Sequence, residues 1–374
     1  MCIFDISDSE FKRILNDDAL FLPKRWDGKD FSNTLKDLFK HYIDKLIKCR
    51  NEELKEKIIS IDFYKISQVC AFLIQSVDDY LNGFPAKALV AFNSAMEILK
   101  YYPLHIYQKS VSEKEDTDEN KKQNEIKLFR VVRVDDNKPY DRTRVFHTPY
   151  DLRAKVSTSR FSIAGFPSLY LSTSLELCCE EINADINNEL IIASVFKMER
   201  YIENSGVDIQ VIELGIKPQD FLTFDNKTGN KRLNRVRQIL GAKRIKSNYL
   251  IWYPLIAACS FIRVNKKDPF AAEYIIPQLL MQWVRNKIIK EERSKVIGIR
   301  YFSCTSLKAS DMGFNYVFPA SGKNNTSKYY PYSTTLAEAF RLTEPVYIHE
   351  YANILECEKE LINSDEKKYH SIYS

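Results

Sequence analysis

The sequence predicts an α+β fold, with an N-terminal helical bundle followed by a mixed α/β domain. Apolar residues repeat at the helical period through about the first hundred positions. After residue 128 the pattern changes to short, strand-like apolar runs that alternate with helical stretches. Residues 110–127 lie between the two patterns and are almost free of apolar side chains. A chain of 374 residues also exceeds one ordinary core, which favours about two domains.

Three amphipathic segments make up the predicted bundle, and short breaks such as Gly83 and Pro85 separate them. Ser32 or Asn33 is the expected N-cap of the first segment. The inward faces are Leu35, Leu38, Phe39, Tyr42, Ile43, Leu46 and Ile47 in the first segment, Ile66, Val69, Leu73, Val77, Tyr80 and Leu81 in the second, and Ala88, Phe92, Ala95, Met96 and Leu99 in the third.

These patterns divide the chain into a helical domain at 1–109, a charged linker at 110–127, a mixed domain at 128–357 and a tail at 358–374. The apolar run 249–262 is too short to cross a membrane and is predicted as a buried element. The predicted strands are 128–134, 169–172, 191–196, 209–214, 296–303 and 346–351, and the predicted helices between them are 174–182, 232–240 and 274–290.

The composition excludes several classes of protein. A net charge of +5 is small for this length and does not require a nucleic-acid partner. The eight cysteines contain no C-x-x-C pair, which argues against a zinc ribbon or a disulfide framework. The five histidines are scattered, so no metal site is expected. Acidic residues stand where a signal peptide needs an apolar run, and a cytoplasmic location without membrane contact is expected.

The segment 160–182 carries the strongest chemical signal. Arg160 precedes a turn and a short strand, and a helix follows with Glu181 near its end. Glu181 lies four and three residues after Leu177 and Cys178, so it shares the inward face of that helix. A carboxylate on such a face is either paired with an arginine or functional. The sequence alone leaves both readings open.

The order of several short motifs resembles the RES domain family, which is named for an arginine, a glutamate and a serine. The motifs are LFRV, RFSIAGFPSLYLS with its following glutamate, YIIPQLLMQWVR, GIRYFS, NYVFPA and FRLTEPV, and they span most of residues 126–355. The resemblance implies a fold similar to ADP-ribosyltransferases and an enzyme that degrades NAD+ by hydrolysis or phosphorolysis. No G-x-G-x-x-G spacing exists, so NAD+ needs a binding site other than a Rossmann fold.

By this resemblance Glu181, Arg130 and Ser303 are the expected catalytic residues, and Arg130, Arg160 and Tyr170 bind NAD+. NAD+ is the substrate, and no other cofactor is expected. Cleavage builds positive charge on the ribose, which a carboxylate stabilises, and arginine forks suit the pyrophosphate. Many family members have a tyrosine after the first arginine. This chain has Val131 there, which removes one expected aromatic wall.

Two other functions stay open. The first is ADP-ribosyl transfer to a protein or nucleic acid through the same residues. The second is nucleic-acid binding through a basic patch at 227–246, a stretch without any acidic residue that could equally steer NAD+, contact an inhibitor or remain solvated. The patch consists of Lys227, Lys231, Arg232, Arg235, Arg237, Lys243, Arg244 and Lys246.

The helical domain loosely resembles the HEPN-like domains that precede some RES domains. The likeness rests on the stretch 80–99, and no R-x-x-x-x-H motif of HEPN ribonucleases occurs within 1–109. A regulatory role is therefore expected, because unrestrained NAD+ loss kills the host cell. This resemblance implies a bacterial toxin or anti-phage effector whose partners include an inhibitor or trigger protein or a second copy of the chain.

Overall fold

In the computed structural model the described residues are 8–48, 62–107, 126–199, 201–202, 207–222, 245–290, 296–321, 331–363 and 368–373. The α-helices in this part of the chain are α1 Asp8–Leu15, α2 Phe31–Lys48, α3 Asp62–Leu81, α4 Pro85–Leu99, α5 Leu175–Ile182, α6 Ile245–Ala258, α7 Ile275–Lys290, α8 Thr334–Ala339 and α9 Ile354–Ile362. The strands are β1 His105–Tyr107, β2 Lys127–Arg133, β3 Ser168–Ser172, β4 Ile191–Met198, β5 Tyr201–Ile202, β6 Val207–Asp208, β7 Gln210–Leu214, β8 Val296–Tyr301, β9 Asn315–Pro319, β10 Phe340–Leu342 and β11 Val346–Tyr347. The predicted α+β class with N-terminal helices is confirmed.

The chain forms two compact units, and their boundaries differ from the predicted ones. The first unit contains Met1–Leu104 together with Ile216–Leu280, and the second contains His105–Gly215 and Met281–Ser374. Residues 216–280, which were predicted to lie in the C-terminal domain, therefore belong to the first unit. Residues 358–374 belong to the second unit rather than to a separate tail. The predicted linker 110–127 lies outside the described residues except for its last two positions.

Helix α6 explains why the first unit recruits a distant segment. Almost every side chain from Tyr249 to Cys259 is buried, so this helix needs a partner on every side. The hydroxyl of Tyr42 on α2 donates to the carbonyl of Leu250 at 2.7 Å, and the indole of Trp252 donates to the carbonyl of Tyr102. The apolar part of α6 thus packs against the amphipathic helices α2 and α3.

The predicted inward faces of the bundle are largely buried, and the outermost predicted positions are exposed. Leu35, Phe39, Tyr42 and Leu46 of α2 are buried, whereas Ile47 is more than one third exposed. The N-cap of α2 was placed two or three residues too late. Asp30 accepts a hydrogen bond from the backbone N–H of Asn33 at 2.9 Å, so Asp30 caps this helix.

The second unit is built on a nine-stranded sheet with the order β1-β7-β8-β9-β3-β2-β4-β10, in which β11 also pairs with β4. Strands β7 and β8 are parallel, and the other neighbouring pairs are antiparallel. Helices α5 and α9 cover one face, where Leu175, Cys178 and Leu361 pack on Phe129 and Val195. These buried contacts fix α5, and with it Glu181, against the centre of the sheet.

Two predicted strands are shorter than expected. β8 ends at Tyr301, so Ser303 follows the strand instead of lying in it. β11 covers Val346–Tyr347 alone, and a 3-10 helix occupies Ile348–Glu350. The predicted helix 232–240 lies outside the described residues. No helix in the described part of the chain combines the length and apolarity that a membrane crossing demands.

Candidate functional site

The sheet of the second unit parts between β2 and β3. β2 pairs with β4 along its whole length, and β3 pairs likewise with β9. Between β2 and β3, however, the described strands share the single pair Phe129–Ser172. Arg130 follows that pair on β2, and Tyr170 lies two residues before it on β3. Strands that part in this way leave backbone groups and side chains that an unbroken sheet would cover, so this split is a candidate site.

Glu181 approaches this split from the last turn of α5. The helix begins at the N-cap Ser174, whose hydroxyl accepts from the N–H of Leu177, and ends at Asn183 in the left-handed region. One carboxylate oxygen of Glu181 accepts from Nδ2 of Asn315 at 2.6 Å, and the other accepts from Oγ1 of Thr305 at 2.8 Å. Both contacts are to neutral donors, so in the described structure Glu181 is not part of a Glu–Arg ion pair.

Asn315 is itself held in one orientation. The hydroxyl of Ser172 donates to Oδ1 of Asn315 at 2.6 Å, which turns the amide nitrogen toward Glu181. Ser172 is the same residue that pairs with Phe129 across the split. The carboxylate is therefore fixed to the point at which β2 and β3 part.

Ser303 reaches the site indirectly. Its side chain is completely buried, and its hydroxyl accepts from the backbone N–H of Thr305 at 3.1 Å. This local bond shapes the turn after β8 that presents Thr305 to Glu181. The resemblance implied that Ser303 is a catalytic residue. The geometry instead places Thr305 between Ser303 and the carboxylate.

Arg130 is the least satisfied charged group of the site. Its side chain is half-buried, and its Nη1 is fully buried and has no hydrogen-bond partner among the described residues. Burial lowers the pKa of Arg130 to about 10, while Cys178 and Tyr170 favour the charged form. The guanidinium is still charged at neutral pH. A buried cation with an unused N–H is unfavourable unless a ligand completes it.

Tyr170 and Arg160 belong to one small assembly. Ser159 and Ser162 pair across a tight turn, and Arg160 lies within that turn. The hydroxyl of Tyr170 is 2.7 Å from Oγ of Ser159 and 2.8 Å from Oγ of Ser162. Tyr170 thus anchors the turn that carries Arg160, which is 9% exposed. The resemblance assigned this hydroxyl to the substrate, but in the structure it holds protein.

Tyr301 is a central residue that the sequence reasoning did not assign. Burial raises its pKa well above the usual value, Glu181 and Tyr170 raise it further, and Arg160 lowers it. Its ring lies 4.7 Å from that of Phe161, next to Arg160. Tyr301 is therefore close to three of the five predicted residues. The G-I-R-Y-F-S motif contained it, but nothing in the motif separates this tyrosine from a core aromatic.

Val131 does not line the opening. It is 6% exposed and packs in the core cluster with Phe129, Leu175 and Cys178. The position at which the resemblance implied an aromatic wall is here part of the core. The structure thus brings five predicted residues into one region, namely Arg130, Arg160, Tyr170, Glu181 and Ser303. Ser303 is linked to Glu181 through Thr305, and Tyr170 supports the turn that carries Arg160.

Two other features of the chain include none of these residues. The basic patch 227–246 falls outside the described residues except for Lys246, which is buried rather than solvated. A cleft of about 650 Å³ in the first unit is lined by Trp26, Phe270 and polar side chains, and it contains none of the predicted site residues. Within the described ranges, no cluster of histidine, cysteine and acidic side chains could hold a metal ion.

Comparison with known proteins gives one informative relative. The protein named "Putative toxin YopC" of Bacillus subtilis (strain 168) is 30% identical to this chain over 336 residues, which cover 86% of this chain and 67% of that protein. No protein-family model matches the chain, and no solved structure matches it. The relative spans both compact units rather than the sheet unit alone.

Proposed function

The chain belongs to the same family as YopC of Bacillus subtilis (strain 168), and we propose that it is a toxin that breaks the nicotinamide–ribose bond of NAD+. A bacterial toxin or an anti-phage effector that depletes NAD+ would fit this chemistry. The site we propose lies at the split between β2 and β3, within the second unit.

The observation that supports this proposal most is the contrast between Arg130 and Glu181. Arg130 offers a buried N–H that no described residue accepts, which favours an anionic ligand such as the pyrophosphate of NAD+. Glu181 carries no guanidinium partner, so its charge is free to act on a developing cation. A structural ion pair would have joined the two groups to each other or to other charges.

In the proposed reaction Glu181 stabilises the positive charge that develops on the ribose as nicotinamide leaves. Asn315 and Thr305 are positioning residues, since each holds one oxygen of that carboxylate. Ser303 acts through Thr305. Arg130 and Arg160 bind the phosphates, and Tyr170 keeps Arg160 in place. Nicotinamide departs as a neutral molecule, so the proposal requires no acid to protonate it.

The test is to incubate the pure protein with NAD+, with and without inorganic phosphate, and to identify the products. We expect free nicotinamide, with ADP-ribose formed by hydrolysis or ADP-ribose 1-phosphate formed by phosphorolysis. With labelled NAD+, transfer of the label to a protein or nucleic acid would indicate an ADP-ribosyltransferase instead.

Glu181→Gln should lower turnover at least about 100-fold, because the amide cannot stabilise the cationic transition state. Glu180→Gln is the matched control. Glu180 is the neighbouring half-buried carboxylate and has a long 3.5 Å contact to Ser306, so its variant should stay within about twofold of wild type. Wild-type turnover by the Glu181→Gln protein would rule out the proposed role of this residue.

A further inference from the structure

The cleft of about 650 Å³ in the first unit has walls from three parts of the chain. Its lining residues are drawn from the ranges 26–36, 78–82 and 264–273. The hydroxyl of Ser32 on α2 donates to the carboxylate of Asp78 on α3, and the side chain of Val264 lies against Gly28. Direct contacts thus join these walls, and the volume of the cleft suits a small organic ligand.

Glu273 is the most buried carboxylate that lines this cleft. The residue is only 2% exposed, and its Oε1 accepts from the backbone N–H of Val264 at 3.1 Å. In the described part of the chain, this is the only hydrogen bond to the carboxylate, and no cation forms an ion pair with it. A carboxylate so far removed from water is unfavourable unless a cation pairs with it. Glu273 therefore lacks a positive partner.

Both lysines of the cleft already have an acidic partner. Nζ of Lys36 is 3.3 Å from the carboxylate of Asp78, which also lines the cleft. Nζ of Lys29 is 3.9 Å from the carboxylate of Asp27. Neither lysine forms an ion pair with Glu273, so the negative charge of Glu273 is not neutralised from within the cleft.

Two further carboxylates of the cleft have neutral partners. Asp30 accepts from the backbone and the side chain of Asn33 at 2.9 and 2.7 Å, and Asp268 accepts from Nδ2 of Asn265 at 2.8 Å. The nearby guanidinium of Arg263 donates to the backbone carbonyl of Asp268 rather than to a carboxylate. Among the described residues, neither aspartate is in an ion pair, so the cleft has an excess of negative charge.

Aromatic rings form another part of the lining. Phe270 stacks on Tyr80, with ring centres 6.4 Å apart and planes 10° from parallel, yet it is 52% exposed. Trp26 is half-buried, and its ring centre is 5.1 Å from that of Phe31. The faces of tryptophan and phenylalanine rings attract organic cations. Carboxylates together with aromatic surface therefore favour a positively charged ligand over an anion.

We propose that this cleft binds an organic cation through an ammonium or guanidinium group. Glu273 supplies the charged acceptor, and Trp26 and Phe270 supply the aromatic surface. The acids that the structure describes are not grouped as metal ligands, which favours an extended cation over a metal ion. The cation can be a free polyamine or a basic side chain of a peptide. This site is separate from the proposed NAD+ site and does not depend on NAD+ cleavage.

The experiment titrates the full-length protein by calorimetry with spermidine and with a capped tripeptide that has a central arginine. The same tripeptide with citrulline, which is neutral, is the control ligand. The test variants are Glu273→Gln, which keeps an oxygen for the N–H of Val264, and Phe270→Ala. The control variants are Asp37→Asn and Phe84→Ala, because both residues are exposed and neither lines the cleft. Thermal denaturation of every variant accompanies the titrations.

Glu273→Gln should weaken binding of the cation about tenfold or more, because a charge-assisted hydrogen bond is lost. Phe270→Ala should weaken it about threefold, and the two control variants should stay within about twofold of wild type. Added salt should weaken binding as well. Binding of spermidine identifies a polyamine site, and binding of the arginine peptide but not the citrulline peptide identifies a site for a basic side chain.

The proposal is wrong if neither cation binds, or if each binds Glu273→Gln as tightly as it binds the wild type. Inorganic phosphate that binds the wild type and no longer binds Lys29→Gln would also overturn it, since the cleft would then take anions. If Glu273→Gln does not fold, equal binding of the cation by Phe270→Ala and Phe84→Ala contradicts the proposal instead. A protein that cleaves no NAD+ leaves each of these outcomes unchanged.

Discussion

The second unit contains two sets of glutamate and arginine, one buried and one half-buried, and they are arranged in opposite ways. Glu213 on β7 and Arg300 on β8 are partners in the sheet register, and both nitrogens of the fork donate to the carboxylate. Burial disfavours the charge of Arg300, but Glu213 outweighs this and raises the pKa. Arg300 also lies 4.1 Å over the ring of Phe314. Both Nε and Nη2 of Arg300 are thus satisfied by Glu213 within the fold.

Arg130 lies on β2 of the same sheet and Glu181 lies on α5, and no ion pair joins the two side chains. Glu181 is held by an amide and a hydroxyl, and Arg130 keeps a buried N–H unused. The first pair is a structural ion pair, and the second set is the one that we propose binds NAD+. Changes at the two places should therefore affect different properties, stability at one and activity at the other.

The largest expected effect is on stability. Arg300→Leu leaves the carboxylate of Glu213 buried without its cation, which should lower the free energy of unfolding by about 3–5 kcal/mol. Urea denaturation of the variant and the wild type measures this. An unfolding free energy within about 1 kcal/mol of wild type would show that the two sets do not differ in the way described.

The next effect is a dependence on pH through His147. This imidazole is buried, its Nε2 accepts from the N–H of Ser333 at 2.8 Å, and burial with the nearby charge of Arg130 lowers its pKa to about 4. The folded pKa lies below the unfolded value of about 6.5. The stability it contributes is therefore present above pH 6.5 and is lost as the pH falls toward 4, by up to about 3 kcal/mol.

The difference between wild type and His147→Gln isolates this contribution, because other groups titrate in both proteins. NMR titration of the His147 ring gives the pKa directly. In an Arg130→Leu background the pKa should rise, since one source of repulsion is gone. A ring that titrates near 6.5 in the wild type would contradict the buried, neutral imidazole.

A third prediction concerns Arg130 itself. Arg130→Leu removes a buried cation that lacks a partner, so the unfolding free energy should stay level or rise by up to about 2 kcal/mol. NAD+ binding should weaken about 100-fold, because two charge-assisted hydrogen bonds are lost. Calorimetry and denaturation measure the two properties on the same sample.

Arg133→Leu is the control for that variant. Arg133 lies on the same strand but donates to Glu189 and to the carbonyls of Ile182 and Asn183. Its loss should reduce stability slightly and leave NAD+ binding within about threefold of wild type. A large destabilisation by Arg130→Leu without any change in binding would assign Arg130 to the fold.

The smallest effect tests the support of Glu181. Thr305→Val removes one hydrogen bond to the carboxylate and should lower kcat about tenfold with little change in KM. Thr305→Ser keeps the hydroxyl and should restore activity. Ser303→Ala should lower kcat similarly and add little in the double variant, because it acts through Thr305. Fully additive losses would show that Ser303 has a separate role.

The sequence predicted most elements of both units, because their signals are local. Strand β4 and helices α4 and α7 follow from apolar periodicity. The sequence-based predictions were wrong where a segment's place in the fold depends on contacts with distant parts of the chain. The sequence analysis assigned residues 216–280 to the C-terminal domain because they follow residue 128. In the structure this segment belongs to the first unit, where the apolar side chains of α6 are buried with the N-terminal helices. The first unit therefore combines the N-terminal helices with residues 216–280.

For the candidate site, too, some features follow from the sequence and others only from the tertiary structure. By itself the sequence determined which ionisable and aromatic residues are available, and it placed Glu181 on the inward face of its helix. Only the tertiary structure decided that Glu181 has amide and hydroxyl partners instead of an arginine, that Ser303 lies behind Thr305, and that Tyr301 stands among the site residues. The hydrogen bonds from Thr305 and Asn315 to Glu181 join positions that are more than a hundred residues apart in the chain. Local periodicity carries no information about which distant donor meets a given acceptor, and that pairing separates a structural ion pair from a binding site.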